Sequence, residues 1–353
     1  MRLILIFSLK WYSLSTDMLL AAYLLAERRT TVGCPHLHQQ TGWRWITLSL
    51  LLLAVAGCSQ SNSSPSPQAQ AVSQSEQLEV VTTFLPMYWF TKAVAKDVAQ
   101  VEILVPPGTE VHEYQATPAN VQALATADVL VKNGLGLEEF LEGTVKNAGN
   151  TGLKEIDASI GIKTLTESSV VSASTDAGEH SHEHEAGNPH VWIDPVLAKQ
   201  QVANIRDGLI AADPKNKATY QGNAAAYIQQ LEALDKEFKQ RLQKYPNCTF
   251  ITFHDAYPYL AQRYQLKQVA VVEIPEDQLS PQDVQRAVGV VKKYNIKALF
   301  GEPGTDNKLL KSLSQDLNLT LHPLDSLEAG STDPQHYFQA MKANLQTLEL
   351  ACR

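Results

Sequence analysis

The chain has 353 residues, more than one small hydrophobic core needs and enough for two lobes of ordinary domain size. Hydrophobic residues make up 44%, as in a globular protein, and 37 acidic against 29 basic residues leave a net charge of −8. That balance lacks the basic footprint of a nucleic-acid-binding protein, so no nucleic-acid partner is expected.

Residues 1–57 read as a leader. TLSLLLLAVA (47–56) is a short apolar run with Arg44 before it and Gly57-Cys58 after it. A basic flank, about 10 apolar residues and a small-residue cleavage site describe a secretory signal. A mature spanning helix needs about 20. Cys58 directly after Ala56-Gly57 resembles the bacterial lipobox, which would make it the lipidated N-terminus and membrane anchor. A second apolar stretch at 19–25, followed by Arg28-Arg29, makes this leader unusually long, as if true initiation lay downstream. Residues 58–77 are rich in Ser, Gln and Pro, cannot bury enough surface to order themselves, and read as a tether.

The folded body then alternates strands and helices. LEVVTTF (78–84) is β-rich, residues 90–98 look helical, and VEILV (101–105) is a strand closed by Pro106-Pro107-Gly108. Thr117-Pro118 opens a helix, and DVLVK (128–132) is a strand ended by Asn133-Gly134. The stretch 172–187 breaks the rhythm with His180, His182 and His184 among acidic residues, and reads as a loop. Residues 78–195 thus form an N-terminal lobe. From 196 to 246 no strand signal appears. Apolar residues from Tyr220 to Leu242 recur at helical spacing within 215–244, a helix of roughly 45 Å that can run along both lobes.

Alternation restarts at 247–353. Strands are expected at 249–253, 269–274, 298–300 and 319–321, and helices at 256–264, from Pro281, at 307–317 and at 334–350. The fold class is therefore α/β, with two lobes, each a mainly parallel sheet flanked by helices, joined by one long rigid helix. With Cys58 lipidated and Cys34 in the leader, Cys248 and Cys352 remain, either paired in an oxidising compartment or as two buried thiols.

Ligands of open α/β sheets bind at the carboxyl ends of strands. Four polar residues follow strands or stiffened turns: His112 after the Pro-Pro-Gly turn, His190 between Pro189 and Pro195, His254 at the end of 249–253, and Asp325 after 319–321. Three imidazoles and a carboxylate suit tetrahedral Zn²⁺, and two from each lobe would let the metal close the cleft. Asp325 is the weakest member, with Glu113 a distant substitute. Asp194, Asp255 and Glu302 are candidates to orient the histidines or to cap loops, without a basis for choosing among them.

NGLGLE (133–138), PHVWIDP (189–195), FHDAY (253–257) and LDSL (324–327) are similar, in order, to the zinc- and manganese-carrying solute-binding proteins of bacterial ABC importers, over about residues 78–350. The resemblance implies metal ligands at His112, His190 and His254, a fourth at Asp325, and a binding subunit rather than an enzyme. It also implies an extracytoplasmic, lipid-anchored monomer with a membrane permease as partner. A third imidazole at His254, where manganese-selective relatives often carry Glu, favours zinc, as does the loop with His180, His182 and His184, which could collect zinc and pass it inward. Manganese or iron cargo, and a metal-binding adhesin, are the alternatives. Asn188 stands where relatives often have Asp, with no evident consequence.

Overall fold

The computed structural model describes residues 77–165, 187–272, 281–294, 296, 298–303 and 308–353. Cys58, His180, His182 and His184 lie outside the described residues. The first sheet comprises β1 (Leu78–Thr82), β2 (Ala99–Ile103), β3 (Val129–Lys132) and β4 (Lys154–Asp157), parallel, in the order β2-β1-β3-β4. Side-chain alternation splits its apolar residues between two faces. Val80, Val129, Val131 and Ile156 join the main core with α1 (Leu85–Ala95). Val81 and Leu130 pack instead with Leu124 of α2 (Pro118–Thr126) and Leu141 of α3 (Leu141–Ala148). Covered on both sides, the strands read as apolar runs rather than alternating ones.

The second sheet repeats the plan with β5 (Thr249–His254), β6 (Lys267–Val272), β7 (Ala298–Gly301) and β8 (Thr320–Pro323), parallel, in the order β6-β5-β7-β8. Phe250 and Phe300 face the main core, while Ile251 and Leu299 face a cluster with Val291 of α7 (Pro281–Tyr294) and Leu313 of α8 (Lys308–Asp316). In each sheet the chain moves from the first strand to one side and returns to the other. The topological switch points therefore lie between β1 and β3 and between β5 and β7, where ligands of such sheets bind.

Two helices, α4 (Pro195–Ala212) and α5 (Lys217–Leu242), connect the sheets. With 26 residues, α5 is about 39 Å long, slightly shorter than its periodicity suggests. Its buried stripe is Tyr220, Ala224, Tyr227, Leu231, Leu234, Phe238 and Leu242. It touches both lobes: Asn223 Nδ2 donates to Val94 O of α1 at 2.9 Å, and Phe238 stacks on Tyr264, which follows α6 (Pro258–Arg263) of the second lobe, at 5.0 Å. Arg241 pairs with Glu349 of α9 (His336–Ala351) at 2.6 Å. Cys248 and Cys352 form a disulfide that ties the start of β5 to the end of α9, with Cα atoms 5.7 Å apart. Among the described residues no helix is long and apolar enough to cross a membrane.

Three local features depart from the sequence expectations. Helix α1 starts at Leu85 rather than at 90, because Pro86 occupies its first turn, where its missing N–H costs nothing. Helix α3 and strand β4 were not anticipated. The first is eight residues with Gly143 inside, and in the second only Ile156 is buried.

Candidate metal centre

The two switch points face one another, and four side chains meet between them. His254 is the last residue of β5 and fully buried. His190 sits at the start of a short 3₁₀ turn, Val191–Ile193, and is 1% exposed. His112 lies in the segment after β2 and is half-buried. Glu328 follows β8 and is 7% exposed. One ligand atom from each of His112, His190, His254 and Glu328 lies within 4.8 Å of the others.

His190 Nε2 is 3.1 Å from His112 Nε2, 2.9 Å from His254 Nε2 and 3.8 Å from Glu328 Oε1. A tetrahedral ion about 2.05 Å from each nitrogen sets nitrogens roughly 3.3 Å apart, so the spacing is nearly that of a loaded site. Nitrogen lone pairs this close repel unless a proton or a cation lies between them.

Hydrogen bonds on the far side of the rings fix which nitrogen faces inward. His254 Nδ1 lies 2.9 Å from Glu302 Oε1; a carboxylate accepts there, so Nδ1 carries the hydrogen and Nε2 is left as the ligand. Glu302 directly follows β7, across the switch point from His254. His190 Nδ1 is 3.0 Å from Asn188 Oδ1, with the same consequence. Burial lowers the His254 pKa, but the charge and hydrogen bond of Glu302, with Glu110 and Asp255 beyond it, outweigh that and leave it raised.

The motifs around the histidines hold them in place. Glu138 accepts from Thr83 Oγ1 and from the backbone N–H groups of Asn133 and Gly134, closing the turn after β3. Asn133 Nδ2 then donates to Pro189 O at 3.1 Å, beside His190. Trp192 Nε1 donates to Ser326 O at 2.8 Å, so the His190 segment is joined to the loop that carries Glu328.

The structure places the expected acidic residues differently from one another. Asp325 is not in the four-residue group. Its Oδ1 accepts from Leu327 N at 2.8 Å, its own N donates to Asn344 Oδ1 and its O accepts from Asn344 Nδ2, both at 2.8 Å. That turn holds Leu327 at a φ of 71°, a left-handed conformation unusual for a non-glycine residue, and the next residue is Glu328. The acid that joins the three histidines in this structure is thus the one three residues beyond the expected Asp325. Among the described residues no hydrogen bond of good geometry reaches either oxygen of Glu328. Burial, followed by the charge and close approach of the Glu110 carboxyl and then by the charges of Glu302 and Asp325, holds its carboxyl well above the usual range. Burial without a cation thus favours the protonated acid, and a cation held among the three imidazoles would let Glu328 ionise and bind it. Glu113 is exposed and outside the group. Asp194 caps α4 by accepting from Val196 N and pairs with Arg263 at 2.7 Å. Of these acidic residues, Glu302 accepts from the ring of His254.

Three nitrogens and one oxygen form a borderline donor set matched to zinc. Comparison with known proteins agrees. Residues 80–351 match the family model described as zinc-uptake complex component A, periplasmic (ZnuA). The chain is 34% identical over 282 residues to the high-affinity zinc uptake system protein ZnuA of Bacillus subtilis, covering 78% of this chain and 88% of that protein. It is 36% identical over 278 residues to the zinc-binding lipoprotein AdcA of Streptococcus pneumoniae, but covers 55% of that longer relative. The crystal structure of the Zn(II)-bound ZnuA-like domain of S. pneumoniae AdcA superimposes with a TM-score of 0.66 at 32% identity, covering 78% of this chain and 99% of that one. The chain belongs to the ZnuA family of periplasmic zinc-uptake components.

Proposed function

We propose that the chain captures Zn²⁺ between its two sheets, with Nε2 of His112, His190 and His254 and the carboxylate of Glu328 as ligands, and hands it to a membrane permease. It is the extracytoplasmic zinc-binding subunit of an ABC importer. The observation that carries the ligand assignment is the meeting of three imidazole nitrogens with a buried carboxylate at facing switch points. Manganese prefers more oxygen donors, so this set favours zinc. The role is capture rather than catalysis, and the chain acts as a monomer. Because α5 packs against both lobes, loading is expected to move them little.

Cys58 anchors the protein through lipid, and a Cys58→Ala chain should leave the membrane fraction. His180, His182 and His184 collect zinc weakly, so their removal should leave one tight site intact.

The deciding experiment equilibrates purified protein with equal zinc and manganese and measures bound metal, for the native chain and for His254→Ala. One zinc per native chain and a large loss in the variant are expected. Manganese in the native chain, or full zinc retention by His254→Ala, would overturn the assignment.

A further inference from the structure

Asn188 joins the two ligand-bearing segments through one side chain. Its Oδ1 accepts from both the backbone N–H and Nδ1 of His190, each at 3.0 Å. Its Nδ2 donates to the backbone oxygen of Asp255 at 2.7 Å. Asp255 directly follows His254, on the other sheet. The amide therefore touches the ring of one zinc ligand and the main chain beside another.

The backbone of Asn188 is also held on both sides. Its N–H donates to Leu165 O at 2.9 Å, and its carbonyl accepts from Tyr259 Oη of α6 at 2.6 Å. The side chain is thus presented in one position, and its two ends have distinct chemical tasks: accepting from His190 and donating to Asp255.

Resting on zinc capture by the four-ligand centre, we infer that Asn188 is a positioning residue that couples the inward-facing tautomer of His190 to the apposition of the two lobes, and so slows zinc release. Only an amide serves both ends. A carboxylate at this position can accept from His190 but cannot donate to Asp255, and would set two acceptor oxygens 2.7 Å apart.

Asn188→Asp, a nearly isosteric change, separates this coupling from simple charge effects. A carboxylate behind a ligating imidazole raises ligand basicity and attracts a cation, so charge alone gives tighter zinc binding. Loss of the clasp on Asp255 gives faster release. The sign of the change decides between them.

The test measures zinc dissociation by a chelator chase, and the His190 tautomer by ¹⁵N NMR of the metal-free protein, for the native chain, Asn188→Asp and Asn188→Ala. Asn188→Asp should release zinc on the order of 10-fold faster while keeping hydrogen on Nδ1, and Asn188→Ala should lose affinity by about 10–100-fold and lose the tautomer preference. Release by Asn188→Asp at or below the native rate would overturn the inference, as would an unchanged His190 tautomer in Asn188→Ala. A native chain that binds no zinc at all would instead refute the capture proposal itself, so the two failures are distinguishable.

Discussion

Glu138 offers a quantitative test of how the ligand-bearing loops are held. It accepts from Thr83 Oγ1 at 2.8 Å, Asn133 N at 2.7 Å and Gly134 N at 3.1 Å. Burial raises its pKa from 4.5 to about 7, despite those three hydrogen bonds, which favour the charged form. The folded protein thus binds this proton more tightly than the unfolded chain does. The corresponding stabilisation is fully present below pH 4.5 and is lost as the pH rises through about 7. Each tenfold difference in proton affinity between folded and unfolded chain is worth about 1.4 kcal/mol, so the change between pH 5 and pH 8 is about 2–3 kcal/mol. Glu138→Gln removes the titration and, at a roughly pH-independent cost, one acceptor for Gly134. Urea unfolding of metal-free, disulfide-intact protein should show the variant gaining about 2–3 kcal/mol relative to the native chain from pH 5 to pH 8. A difference between the two proteins that stays constant across that range would falsify this account of Glu138.

Further expectations concern the centre and the disulfide. Glu302→Gln should weaken zinc binding by about 10–100-fold with little change in metal-free unfolding, measured by chelator competition, because the His254 ring loses its charged acceptor. Glu328→Gln should weaken binding at least as much, whereas Asp325→Asn, which can still accept from Leu327 N, should stay near native affinity. Equal damage from the two would return Asp325 to the ligand set. Replacing both Cys248 and Cys352 by Ser opens a cross-link spanning 104 residues and should cost about 4–5 kcal/mol in denaturant unfolding if chain entropy dominates. A cost under about 1 kcal/mol would contradict that mechanism.

The strand-and-helix alternation was legible because both sheets are covered on two faces, so that runs such as Val80-Val81 and Val129-Leu130-Val131 stand out as apolar blocks between turn signals. The three histidines that lie together here each follow a strand or a proline-stiffened turn, a position that spacing along the chain does mark. Strand β4 was hidden because a sheet edge with only Ile156 buried carries almost no apolar signal. Glu328 was hidden by a subtler effect. Asp325 and Glu328 are acids of one short loop, and which of them turns inward depends on the hydrogen bonds that Asp325 makes with Asn344, 19 positions away, and with its near neighbour Leu327. Nor does local sequence reveal that Asn188 reaches Asp255, 67 positions away. Long-range pairing decided these details, and spacing along the chain carries little information about it.

The most direct test is diffraction from zinc-soaked crystals on either side of the zinc absorption edge. A single strong anomalous peak is expected between the two sheets, about 2.0–2.1 Å from Nε2 of His112, His190 and His254 and about 2.0–2.2 Å from a Glu328 oxygen. A peak elsewhere on the chain, with those three imidazoles left empty, would contradict the assignment.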